Sequence, residues 1–283
     1  MIFDIGDEMP ARITFLGVGG GRFVIINQIR ASGGWILEMD GEMIHVDPGP
    51  GALVRAKQYG IKLKKLTGVI VSHAHPDHYT DAEMVIEAMT DGARKKRGFI
   101  IGNKTIFQGS DGYRPVISPY HAKAVDRKII LSQGDKAKIG KNNSIEVEAV
   151  PTNHGEPGGI GLIFRGSVTL GFSGDGEYFT EQAGHFNGCD YIMINCLRPR
   201  DIKWPMHMNA EGARQLIGRI EPKPKLAILQ HFGIKMLNGV AEREAGWITR
   251  ETGVKTIAAR DGLVLNLDRN DDSVRHGLEK FIK

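Results

Sequence analysis

Short apolar runs separated by glycine-rich turns recur along most of the chain. An apolar run of about four to eight residues between turn residues is typical of a buried β-strand. The strands predicted in this way are residues 12–17, 35–39, 43–47, 69–72, 145–150, 161–164, 168–172, 191–196 and 226–230, with a last pair within 254–267.

Other segments have apolar residues at the spacing of a helix, which places them on one face. Thr80 and Glu83 also have the spacing of a capping box, which predicts a helix that begins just after His78. The remaining predicted helices cover residues 52–59, 210–220 and 240–252.

The elements follow one another as strands, a helix, strands and then helices, in two similar halves without a low-complexity linker. A sheet buries one face against a second layer and is covered by helices on the other. The order therefore predicts one α/β domain over residues 1–283, with two sheets packed face to face beneath outer helices.

The composition is that of a globular protein. Of the 283 residues, 41% are hydrophobic and 25% charged, which excludes a disordered chain, collagen and a coiled coil. Lys and Arg exceed Asp and Glu by 37 to 33, which is compatible with anionic substrates without requiring them. The only cysteines, Cys189 and Cys196, lack CxxC spacing and are interpreted as structural thiols.

The N-terminal residues include acids where a signal peptide needs a basic start and a long apolar run. No stretch approaches the roughly 20 apolar residues of a membrane span. We therefore expect a cytoplasmic protein with no membrane contact.

The string HAHPDH runs from His73 to His78, directly after the predicted strand at 69–72. Its alternate side chains can project into one crevice, where His73 and His75 can bind one divalent ion. Asp77 and His78 can then reach a second ion. A His-rich surface loop is the alternative, but so many polar groups beside a core strand are unfavourable unless they bind metal.

Three more ligand-type residues, His154, Asp175 and His231, follow other predicted strands. Any one alone is more simply a turn aspartate or a histidine bonded to the backbone. Their coincidence at strand ends indicates one site with two ions and an open position for water, as in catalytic zinc sites. The expected ligands are His73, His75 and His154 for one ion, Asp77, His78 and His231 for the other, and Asp175 as the bridge.

This order of residues resembles the metallo-β-lactamase superfamily over nearly the whole chain. The resemblance implies an αββα sandwich of two mixed β-sheets flanked by helices, with the dinuclear site at one edge. It also implies that Asp47, in HVDPGPG, supports the ligand histidines without binding metal; a simple Asp-Pro-Gly turn is the alternative. His75 stands where iron-binding oxidoreductases of the superfamily carry a glutamate, which favours zinc hydrolysis over redox chemistry.

Within the superfamily, the segments NHGEPGGIGLIF and HMNAEGARQL are similar to the RNase Z and phosphodiesterase branch. The interval between His154 and Asp175 is too short for the arm with which RNase Z grips tRNA, which argues against tRNA 3′ processing. In this branch a histidine near the metals can protonate the leaving oxygen, and His207 matches its region. Alternatively, His207 starts the helix at 210–220 or packs against Trp204.

The sequence thus predicts a metal-dependent hydrolase with two divalent ions, zinc before manganese or iron. The expected substrate is a small-molecule or oligonucleotide phosphodiester, attacked by a bridging hydroxide that Asp77 orients. Hydrolysis of a carboxyl ester, lactone or thioester is the alternative on the same site, and a nucleic-acid-binding scaffold is the alternative without catalysis. The basic run ARKKR at 93–97 either contacts phosphates or is a solvated helix end. Because this branch often forms dimers, a homodimer is one expected state.

Overall fold

The computed structural model describes residues 11–267. Its strands are β1 (Ala11–Phe15), β2 (Trp35–Met39), β3 (Glu42–Val46), β4 (Gly68–Val71), β5 (Phe99–Gly102), β6 (Arg127–Ile130), β7 (Lys136–Ile139), β8 (Ile145–Pro151), β9 (Ile160–Arg165), β10 (Thr169–Phe172), β11 (Tyr191–Asn195), β12 (Leu226–Gln230), β13 (Thr256–Ala258) and β14 (Val264–Leu267). Its α-helices are α1 (Arg22–Ile26), α2 (Ala52–Gln58), α3 (Pro76–Tyr79), α4 (Ala82–Met89), α5 (Lys104–Gln108), α6 (Pro119–Lys123), α7 (Gln182–His185), α8 (Ala210–Arg219) and α9 (Val240–Thr252).

The strands form two mixed sheets of seven strands each, in the orders β14-β1-β2-β3-β4-β5-β6 and β13-β12-β11-β10-β9-β8-β7. Neighbours are parallel from β3 to β6 in the first sheet. They are also parallel from β10 to β13 in the second. Parallel strands end at the same edge of a sheet, so the loops that follow them lie together.

The two sheets pack against each other through buried aromatic rings. Trp35 on β2 meets Phe164 on β9 and Phe172 on β10 edge-on, with ring centroids 5.9 Å and 5.4 Å away. Each such pair contributes about 0.5–1.5 kcal/mol beyond the area that it buries. These contacts hold the two layers in register.

Helices cover the outer faces of both sheets. Val85 and Ile86 of α4 share a buried cluster with Val69 and Val71 of β4. Across the molecule, α8 and α9 contribute Leu216 and Ile248, respectively, to the cluster that includes the second sheet. The αββα class is therefore confirmed, whereas one domain over residues 1–283 stays a prediction.

The sequence pattern missed β5, β6 and β7. Strands β6 and β7 lie at sheet edges, where lysine and arginine replace the apolar alternation that marks a buried strand. Strand β5 is apolar and, with four residues, as long as β4, so the pattern could have predicted it.

The capping-box prediction was wrong. Helix α4 has Asp81 at its N-cap with no side-chain cap hydrogen bond, and Glu83 instead accepts a hydrogen bond from the Ser118 amide at 2.6 Å. The helix expected after His78 is preceded by α3, which contains His78 itself.

Cys189 and Cys196 are buried free thiols. Burial raises the pKa of the Cys189 thiol to about 12, so this thiol stays protonated at neutral pH. Both observations agree with structural roles. Between residues 11 and 267, no helix is long and apolar enough to cross a membrane.

We predict that Phe164→Ala destabilises the fold by about 3–5 kcal/mol, because it leaves a cavity between the sheets beside Trp35. Urea denaturation measures the change. The matched control is Phe23→Ala, at a ring that is 66% exposed, which should change the unfolding free energy by less than about 0.5 kcal/mol. Equal losses in the two variants would contradict this account of the core.

Candidate metal centre

All seven residues that the sequence nominated as ligands lie together at one edge of the sandwich. His73, His75, Asp77 and His78 follow the C-terminal end of β4 in the first sheet. The remaining three come from the second sheet, where His154 follows β8, Asp175 follows β10 and His231 follows β12. The cluster therefore spans the interface between the two sheets.

One group of nitrogens consists of His73, His75 and His154. The distance from His73 Nε2 to His75 Nδ1 is 3.1 Å, and that from His154 Nε2 to His75 Nδ1 is 2.9 Å. Ligands of a tetrahedral ion with bonds of about 2.0–2.1 Å stand a little more than 3 Å apart. The three imidazoles are spaced as such a set would be.

The second group consists of Asp77, His78 and His231. His231 Nε2 lies 3.2 Å from His78 Nε2 and 3.3 Å from Asp77 Oδ2. The backbone of His231 is left-handed, with φ of 60°, a strained conformation for a residue with a side chain. A Cβ on Gly20 would lie 2.3 Å from His231 Nδ1, so a glycine is required for this ring to fit.

The Asp175 carboxylate lies between the two groups. Its Oδ2 is 3.4 Å from His231 Nε2 and 3.5 Å from His78 Nε2 in one group. In the other it is 3.9 Å from His73 Nε2 and 4.0 Å from His154 Nε2. Asp175 is therefore placed where one carboxylate can serve both.

Asp47 organises both groups from behind. Its Oδ2 accepts hydrogen bonds from His78 Nδ1 at 2.9 Å and from the Ser72 hydroxyl at 2.7 Å. Because Ser72 gives its hydrogen to Asp47, the hydroxyl accepts from His73 Nδ1 at 3.0 Å. Both rings thus carry a hydrogen on Nδ1 and turn Nε2 toward the cluster, as metal-binding imidazoles do.

His154 is oriented in the same way, since its Nδ1 donates to the Met206 carbonyl at 2.8 Å and its Nε2 faces the cluster. His75 Nε2 lies 3.1 Å from the Tyr113 hydroxyl, which leaves Nδ1 for the centre. Four imidazoles therefore present one nitrogen inward while a polar partner holds the other.

The electrostatics of the cluster favour a bound cation. Burial lowers the pKa of His73 well below its usual range and that of His75 to about 4, so both rings are neutral donors at pH 7. Burial alone would raise the pKa of Asp175, but the surrounding histidines, His231 first, hold it well below the ordinary value. The Asp175 carboxylate therefore stays ionised close to the neutral rings of His73 and His75, an arrangement that favours a positive ion.

The electrostatic environment of His78 also favours positive charge. Burial would lower its pKa, but the carboxylates of Asp77, Asp175 and Asp47 raise it well above the usual value. A proton on His78 Nε2 supplies positive charge at this position. A metal ion would replace that proton, and the donor set of imidazole and carboxylate fits zinc and similar divalent ions.

Comparison with known proteins identifies the family. Residues 42–232 match the model of the beta-lactamase superfamily domain. The chain belongs to this superfamily. An uncharacterized protein of Methanocaldococcus jannaschii is 37% identical over 262 residues, which are 92% of this chain and 96% of that protein.

The branch expected from the sequence is also confirmed. Ribonuclease Z of Methanosarcina mazei is 29% identical over 153 residues, which are 54% of this chain and 48% of the enzyme. Among solved structures, the metallo-β-lactamase fold protein YhfI of Bacillus subtilis aligns with a TM-score of 0.74 at 19% identity, covering 90% of this chain and 98% of that one.

Two more predicted residues, Asp47 and His207, adjoin the two groups of candidate ligands, and His207 presents a ring nitrogen within 4.8 Å of ligand atoms of His154 and Asp175. Asp47 supports the candidate ligands as expected, although its Asp-Pro-Gly segment is also a turn, with φ of 53° at Asp47. The His207 ring centroid is 5.0 Å from that of His154, and His207 Nδ1 donates to the Pro205 carbonyl at 2.9 Å. Burial lowers the pKa of His207. His207 does not start α8, because the cap is Asn209.

The basic run at 93–97 is remote from the cluster. It precedes β5, whose first residue pairs with the first residue of β4, so it lies at the sheet edge opposite the site. Arg94 and Lys95 pair with Asp91, and Arg97 donates to backbone carbonyls. The solvated helix end is therefore the better interpretation of ARKKR.

Sequence reasoning missed several supporting residues. Asn195 donates to Asp175 Oδ1 at 2.6 Å and accepts from Gln230 at 2.9 Å. Both residues are polar and end apolar strands, which is the pattern that also indicated the candidate ligands. Ser72 likewise ends the predicted strand at 69–72 and was overlooked, whereas Tyr113 carried no such signal because its contact with His75 is set by tertiary packing.

We predict that Asp47→Ala weakens metal binding by about 10-fold to 100-fold while leaving every candidate ligand in place. The two imidazoles that it orients would lose their fixed tautomer. Competition with a chromogenic chelator measures the affinity, and Asp126→Ala, at an exposed carboxylate, is the control. Unchanged affinity in Asp47→Ala would contradict the orienting role.

Proposed function

We propose that the chain is a metal-dependent phosphodiesterase that acts on a nucleotide or RNA-like ester and uses two divalent ions. Zinc is the expected metal, before manganese or iron. The observation that carries this proposal is the pair of three-residue groups that share the Asp175 carboxylate. The Ribonuclease Z relative supports a phosphodiester as the substrate.

In this proposal His73, His75 and His154 would hold one ion, Asp77, His78 and His231 would hold the other, and Asp175 would contribute to both. When bound, such ions supply Lewis-acid activation of water and of the phosphate oxygens. The chain supplies the rest: the Nδ1 partners keep the imidazoles fixed, and the Asp77 carboxylate accepts a hydrogen bond from the attacking hydroxide and orients it.

His207 is proposed as the proton donor to the leaving oxygen. The attacking group is a hydroxide whose other proton has already gone to solvent. As its oxygen forms the bond to phosphorus, the opposite P–O bond breaks and its electron pair stays on the leaving oxygen. His207 acts as imidazolium: Nδ1 donates to the Pro205 carbonyl and Nε2 delivers its proton to the leaving oxygen. Because burial lowers the pKa of His207, this form and its contribution decline as the pH rises. A donor of this kind contributes about 100-fold to 10,000-fold to the rate.

We predict that Asp175→Ala loses both ions and all measurable hydrolysis, because it removes the one carboxylate common to the two groups. Metal content after gentle purification and turnover of bis(4-nitrophenyl) phosphate measure the two effects. Asp126→Ala is the control and should match the wild type. Wild-type metal content in Asp175→Ala would overturn the bridging assignment, and a wild-type chain that takes up no zinc or manganese would favour a scaffold protein.

We predict that His207→Ala keeps its metals but loses about 100-fold or more in rate on phosphodiesters with alkoxide leaving groups. The loss should be far smaller with a nitrophenolate leaving group, which needs no proton. Equal losses on both substrates would make His207 a binding residue, and loss of metal would make it a ligand.

We predict that kcat/KM is higher for bis(4-nitrophenyl) phosphate than for nitrophenyl carboxyl esters and thioesters. A phosphodiesterase should turn over the phosphodiester at least about 10-fold faster in kcat/KM, a difference of about 1.4 kcal/mol in the barrier. The reverse preference would favour the ester or thioester hydrolase. Replacing Arg94, Lys95, Lys96 and Arg97 by Ser should leave this ratio unchanged.

A further inference from the structure

A cavity of about 150 Å³ adjoins the candidate metal cluster. His207 lines this cavity and its ring also contacts that of His154 edge-on, so the cavity and the cluster share this side chain. The cavity is also lined by Glu177, Tyr178, Lys203, Trp204 and Asn209.

Some polar groups in the cavity wall are already committed. Asn209 donates to the Arg200 carbonyl at 3.1 Å and accepts from the Gly212 amide at 2.9 Å. The Tyr178 hydroxyl accepts from Arg219 at 2.9 Å. These groups shape the wall and have little capacity left for a ligand.

The side chains of Glu177 and Lys203 are different. Neither makes a hydrogen bond or ion pair with another residue in the 11–267 range, and they do not pair with each other. The backbone of Glu177 is fixed, because its amide donates to the Asn153 carbonyl at 2.9 Å. A free acceptor and a free donor on one cavity wall are typical of a site for a polar ligand.

The size and the aromatic walls limit that ligand. A cavity of about 150 Å³ has room for one ring of about the size of benzene. Tyr178 and Trp204 provide flat faces, and the Arg198 guanidinium lies 5.0 Å from the Trp204 ring centroid, which fixes the indole. A single ring with C–H faces for the aromatics and hydroxyls for the carboxylate matches this wall.

We propose that the cavity binds the sugar ring of the leaving group, with Glu177 accepting hydrogen bonds from its hydroxyls. The inference rests on the proposed function, because the cavity lies on the leaving-group side only if His207 protonates the leaving oxygen. The sugar oxygen that leaves phosphorus takes its proton from His207 and becomes a hydroxyl, and the ring then remains between Trp204 and Tyr178 until release. Lys203 offers its ammonium to the phosphate charge next to that sugar.

The first experiment measures binding without turnover. Quenching of Trp204 fluorescence is titrated with uridine and with 2′,3′-dideoxyuridine, and Trp204→Phe gives the background from the other tryptophans. Uridine should bind about 10-fold more tightly than the dideoxy analogue, because a hydrogen bond to a charged group is lost. Glu177→Gln should remove most of this preference, whereas Glu181→Gln, an exposed glutamate four positions on, should keep it.

The second experiment compares kcat/KM for the dinucleotide UpU, for its deoxy counterpart and for bis(4-nitrophenyl) phosphate. Glu177→Gln should lower the ratio of UpU to the nitrophenyl ester by about 10-fold, and Glu181→Gln should not. Asp175→Ala serves as the blank for contaminating nucleases.

The outcomes separate the two proposals. Equal binding of uridine and dideoxyuridine, or an unchanged ratio in Glu177→Gln, would overturn the sugar site even if phosphodiesters are hydrolysed. Absence of metal-dependent phosphodiester hydrolysis would overturn the proposed function, and the fluorescence titration would still decide whether the cavity selects a hydroxylated ring.

Discussion

The geometry of the candidate metal site depends on the hydrogen bonds that the Asp47 carboxylate accepts. This carboxylate joins the end of β3 to the end of β4 by accepting from the Ser72 amide and hydroxyl, each at 2.7 Å. It also fixes His78 directly and His73 through Ser72, and these two rings belong to different groups of the cluster. One buried acceptor thus sets the orientation of one imidazole in each group, so their inward nitrogens are placed before any ion arrives.

The cluster is expensive to bury, and its position at the junction of the sheets explains how the fold tolerates it. Ligand-type residues from both sheets meet only when the sandwich is assembled around Trp35 and its aromatic neighbours. Buried polar groups cost free energy unless each finds a partner. Among the described residues, the histidines and carboxylates partner one another except at His231 Nδ1, which is buried without a hydrogen-bond partner. Asn195 and Gln230 extend the network behind Asp175. A cation bound there would therefore also stabilise the packing of one sheet on the other.

The sequence predicted the parts of this arrangement that are encoded locally. HAHPDH after an apolar strand, and a histidine or aspartate after three others, were sufficient to nominate all seven residues, because strand ends share one sheet edge. Glu83 shows where local patterns fail: its spacing from Thr80 is that of a capping box, yet its carboxylate accepts from Ser118, a residue brought near only by the fold. The partner Tyr113 was missed for the same reason. The edge strands β6 and β7 were missed because their lysines and arginines hide the strand period.

The segment around Met206 connects the His and Asp cluster to the cavity beside it. Its carbonyl accepts from His154 Nδ1 and so orients one ring of the cluster. The adjacent His207 contacts the His154 ring and lines the cavity, and Trp204 forms part of the cavity wall. Met206 itself has φ of 61°, a conformation that a residue with a side chain adopts only where its surroundings enforce it. A change of sequence that relaxes this turn would move the His154 partner and the cavity wall together. The fold thus ties the orientation of His154 to the shape of the adjoining cavity.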